Sequence, residues 1–69
     1  MSATDHKTQL RELARRFSDG IDVRLLWRPH DGRTLVTVDD SKSGEAVTIE
    51  VGARQSPLHV FEHPFAYAR

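Results

Sequence analysis

The stretch that decides the fold runs from Ile21 to Val38 and reads IDVRLLWRPHDGRTLVTV. Apolar and polar residues alternate on either side of Asp31-Gly32, as expected for two β-strands with one buried face. Asp-Gly between such runs is typical of a type I′ turn, because both central residues of that turn require positive φ. The sequence therefore predicts a β-hairpin that reverses at Asp31-Gly32 and places Trp27 in the core, opposite Val36.

A third alternating run, residues 45–51 (EAVTIEV), follows a turn at residues 41–44. Placing Val47 opposite Val38 also places Ile49 opposite Val36, so that one face stays apolar across all three strands. The other face is mostly polar. The two registers together predict a three-stranded antiparallel meander.

The segment before the hairpin has the periodicity of a helix. From about Asp5 to Asp19, apolar residues recur at three- and four-residue spacing. The resulting stripe consists of Leu10, Leu13, Ala14 and Phe17. Thr4 or Asp5 is suited to cap the start, and Gly20 is suited to the left-handed conformation that ends a helix. The sequence predicts an N-terminal helix preceded by frayed residues 1–4.

A short helix is also predicted near the C-terminus. Ser56-Pro57 has the pattern of an N-cap followed by proline at the first helical position. Leu58 and Phe61 are expected to share one face of this helix, and Pro64 is expected to end it because proline restricts the residue before it. Residues 64–69 are then expected to form an extended tail.

These elements predict one small α+β domain over residues 1–69, with the order helix, three strands, helix (αβββα). A chain of 69 residues has room for a single core and buries only about 60% of its unfolded surface. Since it contains no cysteine, its stability must come from packing or from association between chains.

The charge balance restricts the classes of partner. Ten basic and ten acidic residues cancel, and the sequence pI is near 6.9, whereas a dedicated binder of nucleic acid or of anionic membranes normally carries a basic excess. No apolar run approaches the roughly 20 residues that span a bilayer, and the polar N-terminus does not resemble a signal peptide. We expect a soluble cytoplasmic protein.

Two histidines are the candidates for a metal site. His59 and His63 lie four residues apart with Glu62 beside them, but in the zinc-protease motif glutamate directly follows the first histidine. Pro64 also disturbs the helical geometry at the second histidine, and a zinc site usually needs four ligands. The sequence therefore predicts no metal site and no cofactor.

Catalytic motifs are missing from the sequence. It has no cysteine nucleophile, no glycine-rich phosphate loop and no Gly-x-Ser-x-Gly turn. Asp39-Asp40 is an acidic pair at a strand end, and the predicted register places Asp39 opposite Arg24, as in a cross-strand ion pair. A chain this short has little room to enclose a pocket. We predict that the protein is not an enzyme.

Exposed aromatic residues at a chain end are typical anchors of protein interfaces. Phe65 and Tyr67 are expected either to fold back over the apolar face of the sheet or to contact a second copy or another protein. Leu26 and Leu35 add a modest apolar patch to the outer face. We therefore predict a small non-catalytic protein-interaction or assembly module, whose partner is an unidentified protein or the same chain.

The alternative is a weak nucleic-acid-binding protein. Lys7, Arg11 and Arg15 recur at four-residue spacing on the predicted first helix, and helix, three strands, helix is the order of the double-stranded RNA-binding domain. That domain meets phosphates with a lysine cluster at the start of its last helix. Residues 56–59 (SPLH) contain no lysine or arginine here, so this alternative is the weaker one.

Four segments carry a resemblance to a known group. Residues 26–28 (LWR), 35–39 (LVTVD), 43–45 (SGE) and 61–68 (FEHPFAYA) resemble short uncharacterised proteins from actinobacteria. In that group a tryptophan-bearing hairpin is followed by Thr-Gly-Glu and a closing His-Pro-Tyr-Ala-Tyr-Ala. The resemblance covers about residues 20–68, with Ser43 in place of the threonine and Phe65 in place of the first tyrosine. It implies no particular activity.

Overall fold

The computed structural model describes residues 10–67, and its main feature is a four-stranded antiparallel sheet. The strands follow one another in the sheet in chain order. They are β1 (Arg11–Ser18), β2 (Ile21–Arg28), β3 (Arg33–Asp40) and β4 (Glu45–Glu50), followed by one short helix, α1 (Pro57–Glu62), and a 3-10 turn (Pro64–Ala66). The predicted frayed start, residues 1–4, lies outside the described residues.

The predicted N-terminal helix is wrong where the structure describes it, and so is the αβββα architecture. Residues Arg11–Ser18 form a strand that pairs with β2, and the fold is mostly β. Asp19 has φ 56° and Gly20 has φ 79°, which are the two positive values of a type I′ turn. A type I′ Asp-Gly turn therefore joins β1 to β2 at residues 19–20, whereas at residues 31–32, where the sequence predicts one, Gly32 has positive φ and Asp31 does not.

The apolar residues at helical spacing, on which the helix prediction rested, mostly do not face the core. Leu10, Leu13 and Phe17 are exposed, Phe17 to 63%, and only Ala14 packs against the core. Leu13 is the extra residue of a β-bulge between Glu12 and Ala14, which breaks the simple alternation of a strand. Helix propensity is a weak preference, and pairing with β2 overrides it.

The register between β2 and β3 differs from the prediction by two residues. The turn spans residues 29–32, so Leu25 lies opposite Val36 and Trp27 opposite Thr34. The amide of Gly32 donates to the carbonyl of Arg28 at 2.8 Å. Because side chains alternate with a period of two, a shift of two leaves every side chain on its predicted face.

The register between β3 and β4 is confirmed. Val38 lies opposite Val47 and Val36 opposite Ile49. The turn at residues 41–44 resembles the preceding one, since the amide of Gly44 donates to the carbonyl of Asp40 at 2.8 Å. Both turns end in a glycine with positive φ.

One face of the sheet, which we call the inner face, is covered by α1. Trp27 lies on this face but is only half-buried, so it contributes less to the core than the sequence predicts. Val36 and Val60 are fully buried, one from the sheet and one from the helix. The core cluster consists of Val23, Leu25, Val36, Val38, Val51, Val60 and Phe61. The opposite, outer face of the sheet has no helix over it among the described residues.

The helix α1 begins as predicted. The Ser56 side chain accepts from the amide of His59, and Pro57 occupies the first helical position. The buried residues are Val60 and Phe61, whereas Leu58 is 59% exposed and adds little to the core. No helix within residues 10–67 is long and apolar enough to cross a membrane.

The segment after α1 differs from the predicted extended tail. Pro64–Ala66 is a 3-10 turn, and the amide of Tyr67 donates to the carbonyl of Pro64 at 3.0 Å. The turn brings Tyr67 back against the core cluster. Phe65 points away and remains 64% exposed.

Candidate interaction surface

The four residues predicted to contact a partner do not form one surface. Leu26 and Leu35 lie opposite each other on the outer face, where Leu35 is buried and Leu26 half-buried. Tyr67 packs against the core on the other side of the sheet. Of the four, Phe65 alone is largely exposed. An apolar surface built from all four is therefore ruled out by their positions.

The histidines come together at the end of α1. The ring centroids of His59 and His63 are 4.8 Å apart, and the His59 Nδ1 atom shares a 2.6 Å hydrogen bond with the Tyr67 hydroxyl. Within residues 10–67, no group of three or more histidine or acidic side chains is placed to hold a metal ion. The contact of His59 with Tyr67 instead holds the 3-10 turn against the helix.

The predicted basic stripe is not present as a stripe. Arg11 lies opposite Trp27 on the inner face and Arg15 opposite Arg24 on the outer face. Residues four apart would share a face in a helix or in a regular strand. The bulge at Leu13 changes the alternation in β1 and places these two arginines on opposite faces. Lys7 lies outside the described residues.

Ion pairs occupy the outer face near the first turn. The Arg15 guanidinium binds the Asp22 carboxylate in a bidentate way, with Nε–Oδ1 and Nη2–Oδ2 distances of 3.0 and 2.8 Å. Arg24 donates to the same carboxylate at 3.3 Å, and the predicted pair of Arg24 with Asp39 is wrong because Asp39 lies opposite Asp22. The hydrogen bond from Arg15, supported by Arg24, lowers the pKa of Asp22.

A second set of ion pairs lies at the opposite end of the outer face. Arg28 donates to both carboxylate oxygens of Asp31, the shortest distance being 2.7 Å, and also to Glu50. Arg33 lies 3.9 Å from the same Glu50 carboxylate. The hydrogen bond from Arg28 lowers the pKa of Asp31 to about 2. The arginines of this face are thus already engaged by carboxylates.

Acid titration tests the contact between Arg28 and Asp31. The carboxylate form of Asp31 stabilises the folded state at pH values above its unfolded pKa, about 3.8, and this contribution is lost as the pH falls through about 2. We expect the carboxyl carbon of Asp31 to titrate with a midpoint near 2 in NMR spectra. In Arg28→Gln the midpoint returns towards the ordinary value. An ordinary midpoint in the unmodified protein would contradict the contact.

The edge formed by β1 is irregular and is tied to the helix. Its bulge at Leu13 interrupts the edge, and bulges of this kind discourage pairing with another strand. The Arg16 guanidinium donates to the carbonyls of Phe61 and Glu62 at 2.9 and 3.2 Å and lies 5.3 Å from the centroid of the Phe61 ring. No local sequence signal predicts this contact.

The edge formed by β4 is regular. Its pairing with β3 contains no bulge, and within residues 10–67 no strand pairs with its other side. The amide of Val51 donates to the carbonyl of Thr34 at 2.9 Å, and hydrogen-bonded pairs alternate along an antiparallel ladder. Val47 and Ile49 therefore bond to β3, whereas the amides and carbonyls of Ala46, Thr48 and Glu50 point outwards.

The side chains of β4 leave this edge open. Its only half-buried residue is Ile49, and Val47 is 38% exposed although it belongs to the inner face. The strand contains no proline or lysine, the residues that commonly protect an edge. Its charges are the glutamates at its two ends. The free edge of β4 is the candidate site, and it follows from the fact that β4 is the last strand of a meander.

Comparison with known proteins identifies no relative of this chain. No family model, curated protein or solved structure among those compared matches the chain, so the resemblance to short actinobacterial proteins stays a prediction and the function is argued from the geometry of the sheet edge.

Proposed function

We propose that this protein is a small non-catalytic protein-interaction module that binds an extended segment of its partner along the free edge of β4. The observation that supports the proposal is the row of outward amides and carbonyls at Ala46, Thr48 and Glu50, on a regular strand next to the exposed Val47. An added strand satisfies these groups with main-chain hydrogen bonds, as in β-strand addition. We place this activity in the cytoplasm, which a chain without cysteine fits.

The inner face favours the same mode of binding. Val47 lies at the margin of the apolar face, beside Val38 of the core. A strand paired with β4 places every second side chain on this face. Apolar side chains at those positions would cover Val47 and extend the core, and the partner's other side chains would remain in water.

The two acidic side chains whose pKa is clearly shifted do not suit general acid or base catalysis. Asp22 and Asp31 are held by arginines that lower the pKa of each carboxyl. A general acid or base works best with a pKa near the operating pH, and these two carboxyls are shifted away from neutrality. Their position on the outer face supports a structural role, in which they fix the arginines of β1 and β2.

A synthetic peptide tests the proposed edge. The probe is acetyl-Lys-Val-Thr-Val-Thr-Val-Lys-amide, whose lysines complement Glu45 and Glu50 at the ends of β4. We expect its addition to shift the amide resonances of Ala46, Thr48 and Glu50 in NMR spectra of dilute protein, since those amides gain hydrogen-bond acceptors. Shifts confined to the α1 side or to β1, or no shifts at all, would contradict the proposal.

Two variants at one position provide the control. In Thr48→Pro the outward amide is lost without loss of a bond to β3, because proline is tolerated where the amide faces solvent. In Thr48→Val the amide and the preference for β structure are kept. We expect the peptide to bind Thr48→Val and the unmodified protein alike and to lose binding to Thr48→Pro, whose fold is checked by its β3–β4 amide resonances.

A further inference from the structure

We infer that the strand that binds the free edge of β4 is β4 of a second copy. The two strands are antiparallel, and the two-fold axis that relates them passes between Thr48 of one copy and Thr48 of the other. This inference rests on the proposed function and specifies its partner. The sheet order ends at β4, so the pairing joins two sheets edge to edge with both inner faces on the same side. A two-fold contact uses the same patch on both copies and forms a closed dimer.

The hydrogen-bond pattern of β4 limits the registers that are possible. Outward-facing residues of one copy must lie opposite outward-facing residues of the other, because each such pair exchanges two main-chain bonds. The main-chain amides and carbonyls of Ala46, Thr48 and Glu50 point outwards, whereas those of Glu45 point towards β3. A register with Glu45 opposite Glu50 is therefore excluded by the backbone, which removes the like-charge clash that the ends of the strand would otherwise create.

The register centred on Thr48 uses every outward group. Thr48 lies opposite Thr48 of the second copy, and Ala46 lies opposite Glu50 at both ends. These three pairs supply about six main-chain hydrogen bonds, two from each pair. On the inner face Val47 lies opposite Ile49, so two exposed or half-buried β-branched side chains cover each other across the axis.

The neighbouring registers are poorer. A register centred on Val47 leaves Glu50 opposite Gly44, a turn residue that precedes the strand. A register centred on Ile49 brings Ala46 opposite Gly52, which lies beyond the strand. Each of these uses about four bonds within the strands instead of about six.

Charge is also compatible with the register centred on Thr48. The carboxylate of Glu50 is already bound by Arg28, with Arg33 3.9 Å away, and in the dimer it faces the small uncharged side chain of Ala46. The strand therefore approaches its own copy without placing two glutamates opposite each other, and like charges directly opposite are what destabilise a strand pair.

Lysine substitutions at two positions on the same strand test the register. In Thr48→Lys the new charges lie directly opposite each other across the two-fold axis, so we expect self-association to weaken at least tenfold. In Ala46→Lys the new charge faces Glu50 of the second copy, so we expect self-association to strengthen. Both positions are exposed on the outer face, and the fold is checked by the thermal unfolding midpoint at low concentration.

The measurement is the weight-average mass by sedimentation equilibrium, from about 10 µM to about 1 mM protein, because a contact confined to one strand is at the small end of interface sizes. We expect the mass to rise from monomer towards dimer. A monomer at every concentration, or a dimer that responds equally to both lysine substitutions, would overturn the inference. If the protein stays monomeric but the synthetic peptide binds β4, the proposed function stands and only the partner is wrong. If neither occurs, both fail.

Discussion

Replacing Phe61 with alanine is expected to remove most of the stability of the protein and to leave a large fraction of it unfolded at room temperature. Phe61 is 8% exposed in the core between α1 and the sheet, and its ring also contacts the Arg16 guanidinium. Truncating a buried phenylalanine costs about 3–5 kcal/mol, and a domain of this size has a total stability of about 5 kcal/mol or less. Urea unfolding followed by circular dichroism measures the loss.

Phe65→Ala is the matched control for Phe61→Ala. The same atoms are removed four residues further along the chain, where the side chain is 64% exposed. We expect a change within about 0.5 kcal/mol, as for most surface positions. Equal losses for the two variants would show that the segment after α1 packs against the sheet through Phe65 and that the described position of α1 is incorrect.

Gly20→Ala is expected to be the second most damaging of these substitutions, at about 2–3 kcal/mol. Gly20 has φ +79°, and an added Cβ would lie 3.1 Å from Ser41 Oγ and 3.3 Å from Lys42 Cε. The left-handed conformation alone costs an L-residue about 1–2 kcal/mol. The turn cannot relax easily, because the Gly20 carbonyl accepts from both the amide and the hydroxyl of Ser41 at 2.9 Å.

Gly44→Ala separates the two causes. Gly44 has nearly the same φ, +78°, but an added Cβ would meet nothing within 4 Å. We therefore expect only the conformational cost of about 1–2 kcal/mol, measured by the same urea unfolding. If Gly20→Ala costs no more than Gly44→Ala, the first and third turns do not contact each other as described.

Part of the fold was predictable because local patterns decide it. The alternation in residues 33–40 and 45–50, with the turn between them, fixes the register of β3 with β4. The Ser56-Pro57 cap was equally clear, because both residues act within one helical turn. In each case the residues that carry the signal lie close together in the sequence.

The first strand was missed because two local signals compete there. The spacing of Leu10, Leu13 and Phe17 favours a helix, and Asp19-Gly20 favours a two-residue hairpin turn. Gly20 is compatible with both, since a helix end and a type I′ turn each require positive φ. The bulge at Leu13 also hides the alternation that would have identified a strand.

The candidate site was only partly predictable for a different reason. That the last strand of a meander has a free edge follows from topology, but the direction of each amide on β4 requires the hydrogen-bond pattern. The contact of Arg16 with Phe61 joins residues 45 positions apart. Such contacts depend on where α1 crosses the sheet, which no local pattern specifies.

The order of the strands has a consequence for the rate of folding. Within residues 10–67 every strand pairs with its neighbours in the chain and with no other strand, across the turns at residues 19–20, 29–32 and 41–44. Closing such short loops costs little entropy, and chains rich in local contacts fold quickly for their class. The sheet can therefore assemble hairpin by hairpin, and the docking of α1 beside Arg16 is a later step that joins distant parts of the chain. We expect this protein to fold faster than all-β domains of similar length whose strands pair out of order.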